Sequence, residues 1–377
     1  MKDPLLCSHF DTYVSFVNQA KPTPKSPTQS VRLTEHVKNP GCSCKISKGI
    51  LRQAFQGLPE SEDPRVLVGA SHGDDAGVMD LGGPGNTILT IDVFTPAVDD
   101  PYLFGQIAAA NSISDIYAMG GTAQAALCFI GFPIDVLPVE AMREILRGGI
   151  DKMKEAGVPV IGGHSINDTE PKCGFAVLGT CPKDLFVRNA GALPGDVIVL
   201  TKPLGSGIIA RGRQIGKASD EAIATVARSM AELNRIAGEG MIRHGVHAAT
   251  DVTGFSLMGH MAEIVRNSQV EAEIVFDDLP LFPDTRELAF AGALSGAVKR
   301  NRDSVDEGML ALGDLNVAEQ GILFSPETSG GILAFLPPDR AAGFVGELQE
   351  RGVVATRIIG RVTQSAAAGK IRIIRGK

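Results

Sequence analysis

The chain has 377 residues, of which 44% are hydrophobic and 21% charged, as in soluble globular proteins with room for two domains. Its formal net charge of −7 and its lack of tryptophan argue against a nucleic-acid partner, because phosphates select basic faces and bases stack on aromatic rings. No stretch approaches 18 uncharged apolar residues and no basic segment precedes an apolar core at the N-terminus, so neither a membrane span nor secretion is predicted.

The chain opens with a predicted leader, residues 1–30, which is rich in proline and polar residues and has no apolar period to bury. A mobile segment, residues 38–48 (the cysteine loop), follows and contains Gly41-Cys42-Ser43-Cys44-Lys45. A nearby cation lowers the pKa of a thiol, so Lys45 is placed to activate a neighbouring cysteine as nucleophile or soft ligand. A redox pair, a zinc site and two incidental cysteines stay open as alternatives.

Strand-like and helix-like segments alternate through the first half of the chain. After a helix capped by Ser47, strands are predicted at 65–69, 76–81, 86–91, 125–132, 158–161 and 173–181, with helices at 102–119 and 139–156. A boundary near Gly191–Gly195 separates an N-terminal domain, residues 31–193, from a C-terminal domain, residues 194–377.

The second half alternates in the same way. Strands are predicted at 196–201, 246–250, 271–276, 322–324, 332–335 and 353–362, and helices at 219–240, from Phe255 to Asn267, at 285–291 and at 340–350. Alternation in both halves predicts two layered α/β or α+β domains. The six cysteines are too sparse for a disulfide scaffold, which favours free thiols in a reducing cytoplasm.

Several aspartates stand at places where chemistry is expected. Asp74 and Asp75 are adjacent in a turn, Asp92 ends a strand, and Asp251 lies on a strand-to-helix turn. Asp115 lies four residues after Asn111 on a largely apolar helix, where a buried carboxylate would be costly without a compensating cation or hydrogen bond. Such a set of carboxylates suits Mg²⁺, although a solvated helix face is the alternative for Asp115 and a plain turn for Asp74.

No Walker-type or kinase-type sequence is present, so a nucleotide would be held by scattered acids through metal ions and by backbone amides in glycine-rich turns. The stretch 162–165 (Gly-Gly-His-Ser) is predicted to be one such turn, with a purely structural turn as the alternative. Packing roles are expected for Lys202 and for residues 328–331 (Thr-Ser-Gly-Gly).

From about Val31 to its end, the chain resembles the selenide, water dikinase (selenophosphate synthetase) family of the aminoimidazole-ribonucleotide-synthetase-like, or PurM-like, ATP-binding superfamily. The resemblance rests on motifs in this order: GCSCKI at 41–46, DDAGV at 74–78, TIDVFTPAVDDP at 90–101, AAANSISDIYAMGG at 108–121, GGHSI at 162–166, TKPLGSG at 201–207, TDVTGFSLMGH at 250–260, KRN at 299–301 and PETSGG at 326–331. The Cys-x-Cys-Lys head distinguishes this family from other members of the superfamily.

The resemblance implies an α+β, two-domain PurM-like fold, with an N-terminal mixed sheet through which two copies dimerise and a C-terminal α/β sandwich. It also implies ATP-dependent synthesis of selenophosphate from hydrogen selenide and water, with AMP and orthophosphate released. Free selenide or a protein selenium donor would be the partner, and K⁺ dependence is a family trait that no residue here reveals. Another PurM-like enzyme that forms ADP and a non-catalytic thiol protein that binds selenium remain alternatives.

The implied site residues follow from motif positions. Cys42 and Lys45 match catalytic positions, and Ser43 replaces a glycine common in the family. Asp75, Asp115 and Asp251 match Mg²⁺ ligands. Positions that match ATP contacts are Lys45, His72, Gly73, Asp74, Asp92 and Asp115, and Gly163, His164 and Ser165 match a nucleotide contact made by the partner subunit.

Overall fold

The computed structural model describes residues 31–70 and 73–376, so the predicted leader, residues 1–30, and His72 lie outside the described residues. Within this part of the chain, two mixed sheets are built from successive stretches of sequence. No helix in the described ranges has both the length and the apolar character needed to cross a membrane.

The first sheet has six strands in the order β1-β2-β3-β6-β4-β5. Their bounds are β1 Val66–Val68, β2 Gly77–Met79, β3 Gly85–Phe94, β4 Thr122–Phe132, β5 Val160–Asn167 and β6 Lys172–Pro182. Strand β3 shows how the sheet is oriented, since Ile88 and Phe94 are fully buried on one face while Leu89 and Ile91 are 58% and 66% exposed on the other. One face of this sheet is therefore covered by helices and the other carries exposed apolar side chains.

Three helices belong to this half, namely α1 Lys48–Phe55, α2 Pro101–Ala118 and α3 Val139–Glu155. Helix α2 begins where the Asp100 side chain accepts a hydrogen bond from the Leu103 amide at 2.7 Å, a normal N-cap. It lies close against α3 because glycines leave room: a Cβ on Gly105 would come within 1.9 Å of the Ile145 carbonyl oxygen. Helix α2 also packs against helices and a strand of the second half, so it lies in the middle of the fold.

The second sheet has seven strands in the order β10-β13-β9-β12-β7-β11-β8. Their bounds are β7 Val197–Leu200, β8 Ala248–Asp251, β9 Val270–Val275, β10 Leu310–Ala311, β11 Ile332–Leu336, β12 Arg357–Ser365 and β13 Lys370–Ile374. Strand β11 is buried along its whole length between β7 and β8. The predicted strand at 332–335 is confirmed, whereas the strand predicted at 353–362 begins later, at Arg357.

The helices of the second half are α4 Ser206–Gln214, α5 Asp220–Ala231, α6 Arg235–His244, α7 Ser256–Ser268, α8 Thr285–Phe290, α9 Gly296–Asp303, α10 Val317–Phe324 and α11 Pro338–Glu350. The single long helix predicted at 219–240 is wrong, because α5 ends before Glu232 and α6 starts after Asn234. The Asn234 amide donates to the Ser114 hydroxyl and to the Gly330 carbonyl, each at 2.8 Å. Tertiary hydrogen bonds at Asn234 thus break a helical pattern that the sequence favours.

Two further predictions are corrected. Residues 322–324 form the end of α10 and not a strand, because Asn316 and Glu319 make a capping box that starts a helix. The stretch 162–165 is not a turn but part of edge strand β5, which pairs in parallel with β4. Gly163 permits this pairing, since a Cβ there would lie 2.0 Å from the Cys128 carbonyl oxygen. Helices α4 and α9 and strand β13 were absent from the sequence prediction.

Candidate active site

Three carboxylates from distant parts of the chain meet where the two sheets approach helix α2. Asp75 lies just before β2, Asp115 on α2, and Asp251 is the last residue of β8. One oxygen from each lies within 4.8 Å of the other two. The predicted metal ligands Asp75, Asp115 and Asp251 are thus brought together by the fold.

The three carboxylates have the chemical properties of a site for a divalent cation. Asp75 Oδ2 and Asp251 Oδ2 are buried and lack a hydrogen-bond partner among the described residues. Burial, reinforced by the neighbouring carboxylates, raises the pKa of Asp75 and of Asp115 well above the usual range. Burial likewise raises the pKa of Asp251 to about 6, although a Ser114 hydrogen bond and Lys45 act the other way. Buried oxygens without donors fit a hard divalent cation such as Mg²⁺.

Neighbouring hydroxyls hold two of these carboxylates in place. Thr250 Oγ1 donates to Asp75 Oδ1 at 2.7 Å, and Thr90 donates to Asp115. The buried His260 ring lies beside Thr250, with Nδ1 3.2 Å from the threonine hydroxyl. Burial lowers the pKa of His260 well below the usual range, so the ring is neutral and adds no cation beside the carboxylates.

Asp92, at the end of β3, joins the site to the cysteine loop. Lys45 Nζ lies 2.7 Å from Asp92 Oδ1, and the Asn111 amide donates to the other oxygen of the same carboxylate. Burial opposes the charge on Lys45, but the Asp92 carboxylate raises the pKa of the ammonium above its usual range. Lys45 therefore stays a cation beside Asp92.

The Cys42 thiol is linked to this ion pair through Asn111. Residues 42–44 form one 3₁₀ turn, and Gly41 pairs with Thr95 just after β3, which brings the loop to the end of that strand. Cys42 is only 1% exposed, and its Sγ lies 3.6 Å from Asn111 Oδ1. Burial raises the pKa of Cys42 far above its usual range even though Lys45 lowers it, so this buried thiol is protonated.

A large cavity opens in front of the carboxylates and has a volume of about 1150 Å³. Its walls include the predicted site residues Lys45, Gly73, Asp74, Asp75, Asp92, Asp115 and Asp251. Basic side chains from α1 also line it, namely Lys48 and Arg52, beside Phe255 at the start of α7. A cavity of this size with cations and a carboxylate cluster suits a nucleoside triphosphate.

The other residues predicted to contact ATP have different surroundings. The Asp74 carboxylate accepts a hydrogen bond at 2.8 Å from the backbone N–H of Asn189, in the segment that follows β6. Gly163, His164 and Ser165 are exposed on β5 and do not line the cavity. A role for these three residues in contacting nucleotide therefore remains a prediction that requires a second copy of the chain, and His72 lies outside the described residues.

Sequence reasoning missed the part of the site contributed by residues 327–331 and 300. Cys42 N donates to Thr328 Oγ1 at 3.0 Å, Ser329 N donates to Asn111 Oδ1 at 2.8 Å, and Arg300 donates to the Ser43 carbonyl at 3.0 Å. The PETSGG and KRN motifs gave the signal, but nothing in the local pattern of either indicates that it faces the cysteine loop.

Comparison with protein families supports both halves of the fold. Residues 73–181 match the family model described as AIR synthase related protein, N-terminal domain, and residues 194–371 match the AIR synthase related protein, C-terminal domain. The fold is also similar to thiamine monophosphate kinase from Aquifex aeolicus, with a TM-score of 0.59 and 18% identity over 87% of this chain and 97% of that one. Hydrogenase maturation protein HypE in complex with ATP gives a TM-score of 0.60 and 19% identity over 83% and 87%. The predicted two-domain PurM-like fold is confirmed.

Sequence relatives are much closer. The selenide, water dikinase of Pelobacter propionicus is 40% identical over 337 residues, which are 89% of this chain and 96% of that protein. The selenide, water dikinase of Carboxydothermus hydrogenoformans is 41% identical over 330 residues, which are 88% and 96% of the two chains.

Proposed function

The chain belongs to the selenide, water dikinase family, and we propose that ATP-driven synthesis of selenophosphate takes place in the cavity bounded by Lys45 and the aspartates Asp75, Asp115 and Asp251. The observation that carries this proposal is the position of Cys42 and Lys45. Lys45 lines a cavity large enough for ATP together with the three aspartates. Cys42 is buried close to Lys45, with its Sγ 3.6 Å from Asn111 Oδ1, and the Asn111 amide donates to the Asp92 carboxylate that pairs with Lys45. The carboxylates would bind the metal ion and, through it, the nucleotide, and the thiol would handle selenium.

Phosphoryl transfer depends mainly on positioning and on neutralising charge. Asp75, Asp115 and Asp251 would hold Mg²⁺, which neutralises phosphate charge when bound. Lys45, held by Asp92, places a fixed positive charge at the cavity wall, and Lys48 and Arg52 add cations on α1. One phosphoryl group passes to selenide with formation of a selenium–phosphorus bond, and a second phosphoanhydride bond is hydrolysed by water, which leaves AMP and orthophosphate.

Cys42 is the residue we assign to selenium. Selenide is soft and readily oxidised, so a thiol on a covered loop suits its delivery better than an exposed one. Cys42 is buried and flanked by Lys45 in sequence and by Asn111 in space. Cys44 is more exposed, and we assign it a supporting role.

The exposed apolar face of the first sheet supports a homodimer. Leu89 and Leu178 are paired across β3 and β6 on this face, and Phe129 of β4 lies opposite His164 of β5. A contiguous exposed apolar surface marks an interaction site. A second copy on this face would cover Leu89 and bring His164 to the interface, in line with the predicted nucleotide contact by the partner subunit.

The test is anaerobic turnover of the purified protein with ATP, Mg²⁺ and selenide, with and without K⁺. We expect selenide-dependent AMP, and selenophosphate in phosphorus NMR. Cys42→Ser should abolish this product while retaining ATP binding, and Cys44→Ser is the matched control that should retain activity. Formation of ADP alone would indicate another kinase of the superfamily, and selenide binding without turnover would indicate a selenium-binding protein.

A further inference from the structure

The cysteine loop is held by contacts from the second half of the chain. Thr328 accepts a hydrogen bond from Cys42 N at 3.0 Å, and Arg300 donates to the Ser43 carbonyl at 3.0 Å. Gly254 lies against the same turn, since a Cβ there would come within 2.9 Å of both the Cys42 carbonyl oxygen and Lys45 Cδ. Three separate segments of the second half thus contact residues 42–45.

Thr328 fits the loop closely. A Cβ on Gly41 would lie 2.3 Å from Thr328 Oγ1, so the threonine hydroxyl occupies the space that a side chain at residue 41 would need. Gly41 also has φ of +58° and ψ of −148°, a conformation that side chains strongly disfavour. The glycine therefore permits both the turn and the contact with Thr328.

Thr328 is itself fixed by a buried network. Its amide donates to Ser206 Oγ at 2.9 Å, and Ser206 donates to the buried Glu327 carboxylate. The same carboxylate accepts from the Gly205 and Ser206 amides, each at 2.8 Å, at the start of α4. Because each of these groups is satisfied and buried, the position of Thr328 is set independently of the cysteine loop.

The segment also contacts the thiol environment. Ser329 N donates to Asn111 Oδ1 at 2.8 Å, the same oxygen that lies 3.6 Å from Cys42 Sγ. Lys202 Nζ, which is buried, donates to the Ser329 carbonyl at 3.1 Å and so anchors the other side of that peptide. Thr328 does not line the large cavity. The contacts that Thr328 makes with the cysteine loop are therefore separate from the contacts available to ATP.

We propose that Thr328 is a positioning residue that docks the cysteine loop and so places Cys42 for reaction with selenium, with Arg300 as a second anchor. The proposal rests on the selenophosphate synthesis argued above. Loss of the Thr328 hydroxyl releases the loop and lowers the efficiency with selenide, while ATP binding is retained because the cavity wall is unchanged.

The decisive comparison is Thr328→Val against Thr328→Ser in the full chain. Valine keeps the shape but removes the acceptor for Cys42 N, and serine retains it. Hydrogen–deuterium exchange of the peptide that covers residues 38–48 should be about five- to tenfold faster in Thr328→Val, the effect of losing one hydrogen bond. The ratio kcat/KM for selenide should fall by a similar factor, the Kd for ATP should stay unchanged in calorimetry, and Thr328→Ser should behave like the unmodified protein.

A second variant keeps the test informative if Thr328→Val does not fold. Arg300→Met removes the donor to the Ser43 carbonyl but keeps an apolar stem, and Arg302→Met on the same helix is its control. Equal exchange of the loop in Thr328→Val, Thr328→Ser and unmodified protein would overturn the docking role, as would equal exchange in the two arginine variants. Absence of selenide-dependent AMP from the unmodified protein would instead overturn the proposed function, because loop exchange is measured without substrate.

Discussion

Replacing Asp251 with asparagine should stabilise the metal-free protein above pH 6 and remove most of its response to Mg²⁺. Burial raises the pKa of Asp251 from 3.8 to about 6. A pKa higher by about two means that ionising this carboxyl in the folded protein costs roughly 3 kcal/mol more than in the unfolded chain. Asparagine avoids this cost, and its N–H group lies among carboxylate oxygens within 4.8 Å that can accept it.

The sign of the pH dependence follows from the raised pKa. Between about pH 4 and pH 6 the folded protein holds a proton on Asp251 that the unfolded chain has lost. The free energy of unfolding of metal-free protein should therefore fall as pH rises through this window and stay low above it. Burial shifts Asp75 and Asp115 in the same direction, so Asp251→Asn should reduce this pH dependence without abolishing it.

The assay is thermal unfolding from pH 4 to 8, with chelator and with excess Mg²⁺. At pH 8 without metal we expect the variant to melt several degrees higher than the unmodified protein, as roughly 3 kcal/mol predicts for a chain of this size. Mg²⁺ should raise the unfolding temperature of the unmodified protein strongly, because a ligand that binds only the folded state stabilises it. Its effect on the variant should be small.

Asp278→Asn is the control, since Asp278 is exposed and has no hydrogen bond or ion pair among the described residues. It should leave both the pH dependence and the Mg²⁺ effect unchanged. If Asp251→Asn melts no higher than the unmodified protein at pH 8 and gains as much from Mg²⁺, then the carboxylates do not form a strained cation site and the reasoning is wrong.

Three further outcomes are expected. Lys45→Met should lower selenide-dependent AMP formation by about a hundredfold, because the cavity wall loses a fixed cation that stabilises charge developing in the transition state, whereas Lys45→Arg should recover part of the rate; equal rates would contradict the role of the ammonium. Asp115→Asn should abolish Mg²⁺-dependent ATP binding in calorimetry, and unchanged binding would count against its role as ligand. Leu89→Asp, on the exposed sheet face, should give a monomer in light scattering, and a persistent dimer would place the interface elsewhere.

Local patterns in the sequence predicted most elements that position the site. Helix α2 could be predicted at 102–119 because its apolar run is a pattern of neighbouring residues, and the structure has it at Pro101–Ala118. The broken helix at Asn234 could not be predicted, because the bonds that end it come from Ser114 and Gly330, far away in the chain. The strand predicted at 158–161 continues through 162–165, where a turn was predicted because Gly162 and Gly163 resemble turn residues, whereas pairing with β4 decides their conformation.

The sequence by itself determined which chemistry is available: a thiol with a lysine behind it, aspartates at strand ends and on an apolar helix, and a family resemblance carried by ordered motifs. Only the tertiary structure decided which of these groups meet. Asp75 and Asp251 come together because the start of β2 and the end of β8 lie at one place, and Cys42 is buried because Thr328 and Arg300 dock its loop. Periodicity and caps are local and can be predicted from neighbouring residues. Contacts between residues far apart in the chain depend on how sheets and helices pack, which no local pattern encodes.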